Sequence, residues 1–314
     1  MPVVAVAGGT GNVGRAIVEA IVATGKYEVV ILSRKSNPER SAELGVPIIP
    51  VDYTDVDALA RTLEDRNIHT VVSALVMMPS PNGDLPREVE LIQAADKSRA
   101  TKRFISSDWG LPHTAEHITQ LVSVKFKLDA EKALENTKDL ETTRFLNGFF
   151  LDYFGLPKFP SHMPPTTMVL DVANNAAAIP GSGDVPAVFT HTSDVAKFVA
   201  ASLDLDNWDP VHYVIGDRVT WNEFLHLAEE AKGTKFKVVY DPIEKLQSGK
   251  VTELPGHIAA YPYFPKEILQ KFAATFALWW ATGAFDFKPK STLNDRLPSL
   301  GTLKVKELLD RAWK

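Results

Sequence analysis

Val3-Val4-Ala5-Val6-Ala7-Gly8-Gly9-Thr10-Gly11-Asn12-Val13-Gly14 is the stretch on which the fold turns. Its five apolar residues read as a buried strand. The residues Val13, Ala16, Ile17, Ala20 and Ile21 then recur at spacings of three and four, which predicts a helix over Asn12–Thr24 ended by Gly25. Between strand and helix the glycines fall as G-x-x-G-x-x-G. In that setting Gly8 takes the tight turn, Gly11 removes the side chain that would hold a pyrophosphate off the backbone, and Gly14 lets helix and strand approach closely. The helix N-terminus adds unpaired N–H groups and a positive dipole end. Gly8, Thr10, Gly11, Asn12, Val13 and Gly14 are therefore assigned to the phosphates of a dinucleotide, the alternative being a glycine-rich turn with no ligand.

Outward from this loop, short β-rich runs alternate with helical patterns. Strands are expected at Glu28–Leu32, Pro47–Val51, Thr70–Val76, Arg103–Ser107 and Thr142–Leu146. Helices are expected over about Val56 to Leu63, around Glu88, Leu91, Ile92 and Ala95, and over about Val122 to Leu134, with a loop at Met78–Pro86. Such alternation predicts an α/β fold, a doubly wound parallel sheet of the Rossmann type. Pro157, Pro160, Pro164 and Pro165 interrupt regular structure, so a domain over residues 1–155 is expected to give way to a smaller α+β region over 156–314. There, strands are expected at His212–Ile215 and Lys235–Tyr240, and helices around Ser193–Ser202, Asn222–Lys232 and Lys266–Ala281.

The second strand leads into Ser33-Arg34-Lys35, where a site preferring NAD usually carries an acid for the ribose 2′-hydroxyl. A guanidinium here can hold a 2′-phosphate and stack on adenine, so NADPH is expected over NADH; a solvated charge pair is the plainer alternative. Asp52-Tyr53 follows the third strand and can reach the adenine amine, although Asp also starts turns. Ligands of open α/β sheets bind beyond the carboxyl ends of the strands. Ser73-Ala74-Leu75, Ser106 and Asn147 stand at those ends and are assigned to the cofactor, while Asp108, Trp109, Phe149, Phe150 and Tyr153 are assigned to substrate. The aromatic residues among them could equally be plain core. Lys125 and Lys127 open the helix after the fifth strand, two residues apart and so on different faces, and either could carry proton chemistry. No tyrosine is followed by lysine four positions later.

Composition narrows the partners. The 314 residues carry a formal net charge of −5, which provides no basic field for nucleic acid. The absence of cysteine removes disulfides, thiolate nucleophiles and Cys-ligated metals. Metal catalysis is not expected, since His113 and His117 flank a presumed loop and lack the further ligands a metal needs. The opening residues read as a strand rather than a leader, and no run is apolar enough for a membrane span, so a cytosolic protein with a small-molecule substrate is expected.

Together these residues resemble the NmrA-like, isoflavone reductase-like branch of the atypical short-chain dehydrogenases. The matching pieces are GGTGNVG, the Ser33-Arg34 step, RFISSDWG over 103–110, a lysine on the next helix, TRFLNGFFLDYFG over 143–155 and the Asp194-Val195-Ala196 helix start; IPGSG at 179–183 fits fungal members. The resemblance implies an NADP-binding Rossmann domain, a C-terminal substrate lobe, and Lys127 at the family's lysine position, with Lys125 as the fallback. Where the family commonly has Pro-Ser-Glu-Phe-Gly, this chain has Ser106-Ser107-Asp108-Trp109-Gly110. The expected function is an NADPH-dependent reductase of a small, aromatic or polyketide-like metabolite. Its alternatives are a non-catalytic NAD(P)-binding redox sensor acting on a protein partner, and an isomerisation or cyclisation around a structural nucleotide.

Overall fold

A computed structural model describes residues 1–80 and 82–314; Pro81, within the expected loop Met78–Pro86, lies outside the described residues. In chain order the first part runs β1 (Val3–Ala7), α1 (Asn12–Ala23), β2 (Glu28–Ser33), α2 (Pro38–Leu44), β3 (Ile48–Pro50), α3 (Val56–Asp65), β4 (Ile68–Ser73), α4 (Glu88–Lys97), β5 (Arg103–Gly110), α5 (His117–Gln120), α6 (Val124–Glu135) and β6 (Glu141–Leu146). The second continues with β7 (Phe149–Phe150), a 3₁₀ turn at Leu151–Phe154, β8 (Leu170–Asp171), β9 (Ala176–Pro180), β10 (Pro186–Thr190), α7 (Thr192–Ser202), β11 (Val211–Tyr213) and β12 (Asp217–Thr220). It closes with α8 (Trp221–Lys232), β13 (Lys237–Asp241), α9 (Ile243–Gln247), α10 (Pro255–Ala260), α11 (Lys266–Ala281), α12 (Leu293–Arg296) and α13 (Val305–Trp313).

Seven strands form the main sheet in the order β11-β6-β5-β4-β1-β2-β3, every pairing parallel. This is the expected doubly wound sheet, and its strand order reverses between β1 and β4, where such sheets open a ligand crevice. Alternation explains why β1 is apolar throughout: Val4 and Val6 join the core under α1 and α7, while Ala5 and Ala7 join the opposite core with Leu59, Leu63 and Leu91. The seventh strand comes from beyond residue 155: Val211–Tyr213 pairs with β6, and α7 packs on α1. The strand expected at His212–Ile215 in the smaller region thus belongs to the main sheet; it ends at Tyr213, and the Val214 N–H still donates to the Leu146 carbonyl at 3.0 Å.

The remaining chain forms the smaller α+β part, with two three-stranded sheets, β12-β10-β7 and β13-β9-β8. Its core is aromatic: Phe149, Phe154, Phe189, Trp221, Phe224, Trp279, Trp280 and Phe285 are all buried together. Helix α8 starts on a capping box between Thr220 and Glu223. Two boundaries differ from expectation at the sheet's carboxyl edge. Strand β4 stops at Ser73, because Ala74 and Leu75 peel off around Gly8, and β5 runs on to Gly110 through a register shift after Ser106. Among the described residues no helix is long and apolar enough to cross a membrane.

Candidate functional site

The glycine loop has the geometry of a phosphate cradle. Gly8 holds φ at +75°, and a Cβ there would stand 2.7 Å from the Ala74 carbonyl oxygen. A Cβ on Gly14 would meet the Gly8 carbonyl oxygen at 2.3 Å, so α1 approaches the loop more closely than any side chain permits. At Gly11, by contrast, no atom lies within 4 Å of the same position. Gly11 is also the N-cap of α1 and supplies no side-chain cap, leaving the amides of the first turn, Asn12, Val13 and Gly14, for an anion. Two guanidinium groups flank the loop that the sequence reading does not single out. Arg40 donates to the Thr10 carbonyl at 3.3 Å, and Arg15 bonds Glu19 and Glu43.

At the end of β2, Arg34 is 73% exposed and meets Asp84 at only 3.5 Å, an exposed contact worth little, so its guanidinium can turn to a ligand. Ser33 is half-buried and Lys35 exposed beside it. Tyr53 is buried, its hydroxyl donating to the Leu32 carbonyl at 3.0 Å, and Asp52 accepts from the backbone N–H and hydroxyl of Thr54. Tyr53 therefore braces β2 from below, and of that pair only Asp52 faces solvent.

At the ends of β4 and β5 the hydroxyls turn inward. Glu88, the first residue of α4, is fully buried and accepts from the Ser73 hydroxyl, from the Ser106 hydroxyl at 2.9 Å and from the Ser107 N–H at 2.9 Å. Burial pushes its carboxyl above the ordinary glutamate value, against the pull of those donors. Ser107 donates its own hydroxyl to the Leu75 carbonyl at 2.7 Å, and the Trp109 indole N–H donates to the Ser73 carbonyl at 3.2 Å. Ser73, Ser106, Ser107 and Trp109 thus fasten the sheet edge to Glu88. The signal for Glu88 was its place on the apolar face of Leu91, Ile92 and Ala95, where an acid is out of keeping.

Asp108 is buried within a four-charge network rather than open to a substrate. Lys127 Nζ lies 3.4 Å from its Oδ1 and also donates to its carbonyl at 3.4 Å; Arg144 contacts its Oδ2 at 3.1 Å and Glu131 at 2.6 Å. Burial raises the Asp108 carboxyl, and the two cations draw it back. Lys127 therefore points in towards the carboxyl end of β5, while Lys125 pairs with Asp129 on the solvent side. Next along the chain, His113 packs edge-on against Trp279 at 5.7 Å with its Nδ1 buried and unpartnered. Burial, aided by the Lys127 charge, pushes it down to about 2, so the ring is neutral. His117 lies on the short helix α5, not in a loop, and its ring meets both Trp279, tilted at 5.0 Å, and His113, edge-on at 5.8 Å.

Of the remaining expected residues, Asn147 is buried with its Oδ1 unpartnered, and Phe149 lies in the aromatic core against Tyr153, Phe276 and Trp280. Phe150 and Tyr153 are half-buried; burial raises the Tyr153 phenol. The arrangement therefore offers an uncapped phosphate cradle at one end and, at the carboxyl end of β5, an inward ammonium beside a neutral imidazole.

The comparisons agree with this architecture. The protein named Oxidoreductase BOA1 from Botryotinia fuckeliana (strain B05.10) is 35% identical over 300 residues, 95% of each chain. Oxidoreductase swnN from Metarhizium robertsii (strain ARSEF 23 / ATCC MYA-3075) is 28% identical over 344 residues, 100% of this chain and 98% of its own. Among solved structures, AtPrR2 with NADP+ and (+)pinoresinol has the same fold at a TM-score of 0.76 with 22% identity, covering 98% of both chains. The ternary complex of leucoanthocyanidin reductase from Vitis vinifera follows at 0.73 and 18%, again covering 98% of both. The model of the NmrA-like family matches residues 2–303, nearly the whole chain, and with the glycine loop, the strand order and the BOA1 likeness pointing the same way, this chain belongs to the NmrA-like family.

Proposed function

We propose that the protein is an NADPH-dependent reductase of a small aromatic or polyketide-like metabolite, with residues 1–155 supplying most of the nucleotide site and 156–314 most of the substrate wall. The observation that carries this reading is the inward Lys127: of two lysines two residues apart, one is solvated and the other is held at the carboxyl end of β5. The open space at Gly11, the bare N-terminus of α1 and the weakly engaged Arg34 fit a dinucleotide with a 2′-phosphate. NADPH, when bound, supplies a hydride. Lys127 is the group to deliver the balancing proton or hold the ribose, and the neutral His113 offers a second polar contact to substrate. Names of relatives support the class: they include a Pinoresinol reductase 2 and a Phenylcoumaran benzylic ether reductase TP7.

One observation favours a second reading, a non-catalytic NAD(P) sensor: Lys127 is ion-paired with a buried carboxylate, as a structural lysine would be. Mass spectrometry of nucleotide carried through purification, followed by a metabolite screen for NADPH consumption, separates the two. Turnover of any aromatic carbonyl or enone that disappears in Lys127→Met supports the reductase; nucleotide binding with no turnover across the screen supports the sensor.

A further inference from the structure

A cavity of the described chain lies away from the glycine loop. It has a volume of about 430 Å³ and is lined by Phe159, Ser193, Lys197, Thr302, Leu303 and Arg311 among others, at the start of α7. Ser193 is exposed there, and its Oγ lies 2.8 Å from His191 Nδ1. The Ser193 N–H also donates to that nitrogen, at 3.2 Å, so Nδ1 is unprotonated and the imidazole carries its proton on Nε2. Nε2 in turn stands 3.3 Å from Oδ1 of Asp152, within ion-pair reach but not aligned as a hydrogen bond. Asp152 is buried and accepts from the Thr192 N–H at 2.9 Å, the Thr192 hydroxyl at 2.5 Å and the Ser161 hydroxyl. Phe159 packs edge-on against the His191 ring at 5.3 Å and carries the Arg311 guanidinium on its face at 4.7 Å.

A cap for α7 accounts for the bond from the Ser193 N–H. The Thr192 bonds likewise account for the buried Asp152, but neither requires a serine hydroxyl that opens on a cavity with an imidazole nitrogen behind it. A serine hydroxyl bonded to an imidazole, with a carboxylate near the far ring nitrogen, is the grouping that activates a hydroxyl once the imidazole turns its Nε2–H onto the acid, and it is recognised by geometry and roles rather than by chain order. From it we infer a second site, independent of the nucleotide site, in which Ser193 is a nucleophile towards short carboxylic esters. Ser193 Oγ bonds to the acyl carbon as its proton passes to His191 Nδ1. The alcohol leaves with that proton, and water, deprotonated by the same nitrogen, then releases the acid and restores the serine. Arg311 has one N–H engaged by Glu307 at 3.2 Å and retains others for the oxyanion. Phe159 and Leu303 give the acyl chain an apolar wall.

The test is covalent labelling of the full chain with an alkyl fluorophosphonate, in which the serine oxygen displaces fluoride, read by intact mass and peptide mapping. The expected result is a single adduct on Ser193, together with slow hydrolysis of p-nitrophenyl acetate. Both should fall at least tenfold in Ser193→Ala, whose change is on an exposed residue and leaves the melting temperature and nucleotide binding unaltered. His191→Asn keeps an acceptor for the helix cap but removes the base, and should slow labelling comparably; if that variant does not fold, Ser193→Ala alone decides. No adduct on wild type, or an adduct that persists in Ser193→Ala, overturns the inference.

Discussion

Replacing Gly11 by valine tests the glycine loop most directly, because the structure separates its effect on binding from any effect on folding. Gly11 has φ −115° and ψ 154°, extended backbone that a β-branched residue adopts readily. Its added side chain meets no atom within 4 Å of the Cβ position, so the folded chain accommodates it. The cost to stability should stay within about 0.5 kcal/mol, the range of surface changes. The same side chain fills the space where a pyrophosphate approaches the first-turn amides. Losing one or more charge-assisted hydrogen bonds of roughly 1.5–3 kcal/mol weakens NADPH binding by roughly 10- to 150-fold. Gly14→Ala is the contrasting case: its Cβ would stand 2.3 Å from the Gly8 carbonyl oxygen, so α1 must shift and overpacking should cost about 1–3 kcal/mol of stability. Titration calorimetry with NADPH and thermal melts on both variants check this. A stably folded Gly11→Val that binds NADPH as wild type does refutes the assignment of the loop.

Arg34→Asp should lower affinity for NADPH by roughly 10- to 150-fold while leaving NADH nearly unchanged, and equal wild-type affinities for the two nucleotides would defeat the proposed preference. Lys127→Met should bind NADPH normally yet lose about 10²-fold or more in turnover on an identified substrate, whereas Lys125→Met should change little. Lys127→Arg keeps the cation beside Asp108, so restored turnover in that variant would assign Lys127 a structural part only. Glu88→Gln addresses pH: burial raises the folded-state value above 4.5, so between the unfolded and folded values the native state holds the extra proton and wild-type stability falls as pH rises. The stability of Glu88→Gln relative to wild type should therefore increase with pH across that window and then level off, as chemical denaturation at a series of pH values would record; a difference that stays flat there contradicts the buried-charge account.

How far the sequence could be read depended on what each segment does. The β1–α1 loop and helix Lys266–Ala281 were legible because their patterns are local: glycines at fixed offsets, and apolar residues at helical spacing. Helix α2 left a readable signal, Asn37 before Pro38, whose side chain accepts from the Arg40 N–H at 2.9 Å, but its seven residues include none that is buried and so no apolar face. Strand β9, Ala-Ala-Ala-Ile-Pro, is buried at every position and shows no alternation to separate it from loop or helix. The seventh strand of the main sheet was legible as a strand but not as a neighbour of β6, since pairing across more than sixty residues is settled by tertiary packing. In the site, Lys127 was readable only as one of two lysines. Its direction depends on Asp108 and Arg144, which lie on different strands.

The register shift in β5 shows why those groups stand where they do. Ser106 pairs with Arg144 and Gly110 with Leu146, so residues 107–109 of β5 lie opposite the single residue Phe145 of β6. A bulge of this kind re-aims side chains and takes backbone groups out of the ladder, and such groups need other partners when buried. Glu88 accepts the Ser107 N–H, and Lys127 donates to the Asp108 carbonyl. The ladder resumes at Gly110, whose carbonyl accepts from the N–H groups of both Asn147 and Gly148 at 2.9 Å. Gly110 lies close to the lysine as well: a Cβ there would stand in van der Waals contact with Lys127 Nζ, at 3.5 Å. The bulge therefore explains a buried glutamate and an inward lysine on backbone accounting alone, before any reaction is considered. Removing either side chain deprives a backbone group of its partner, and breaking the buried ion pair costs more than an exposed one would. Loss of turnover in Lys127→Met consequently counts as chemistry only if Lys127→Arg, which can still donate to the Asp108 carbonyl, fails to restore it.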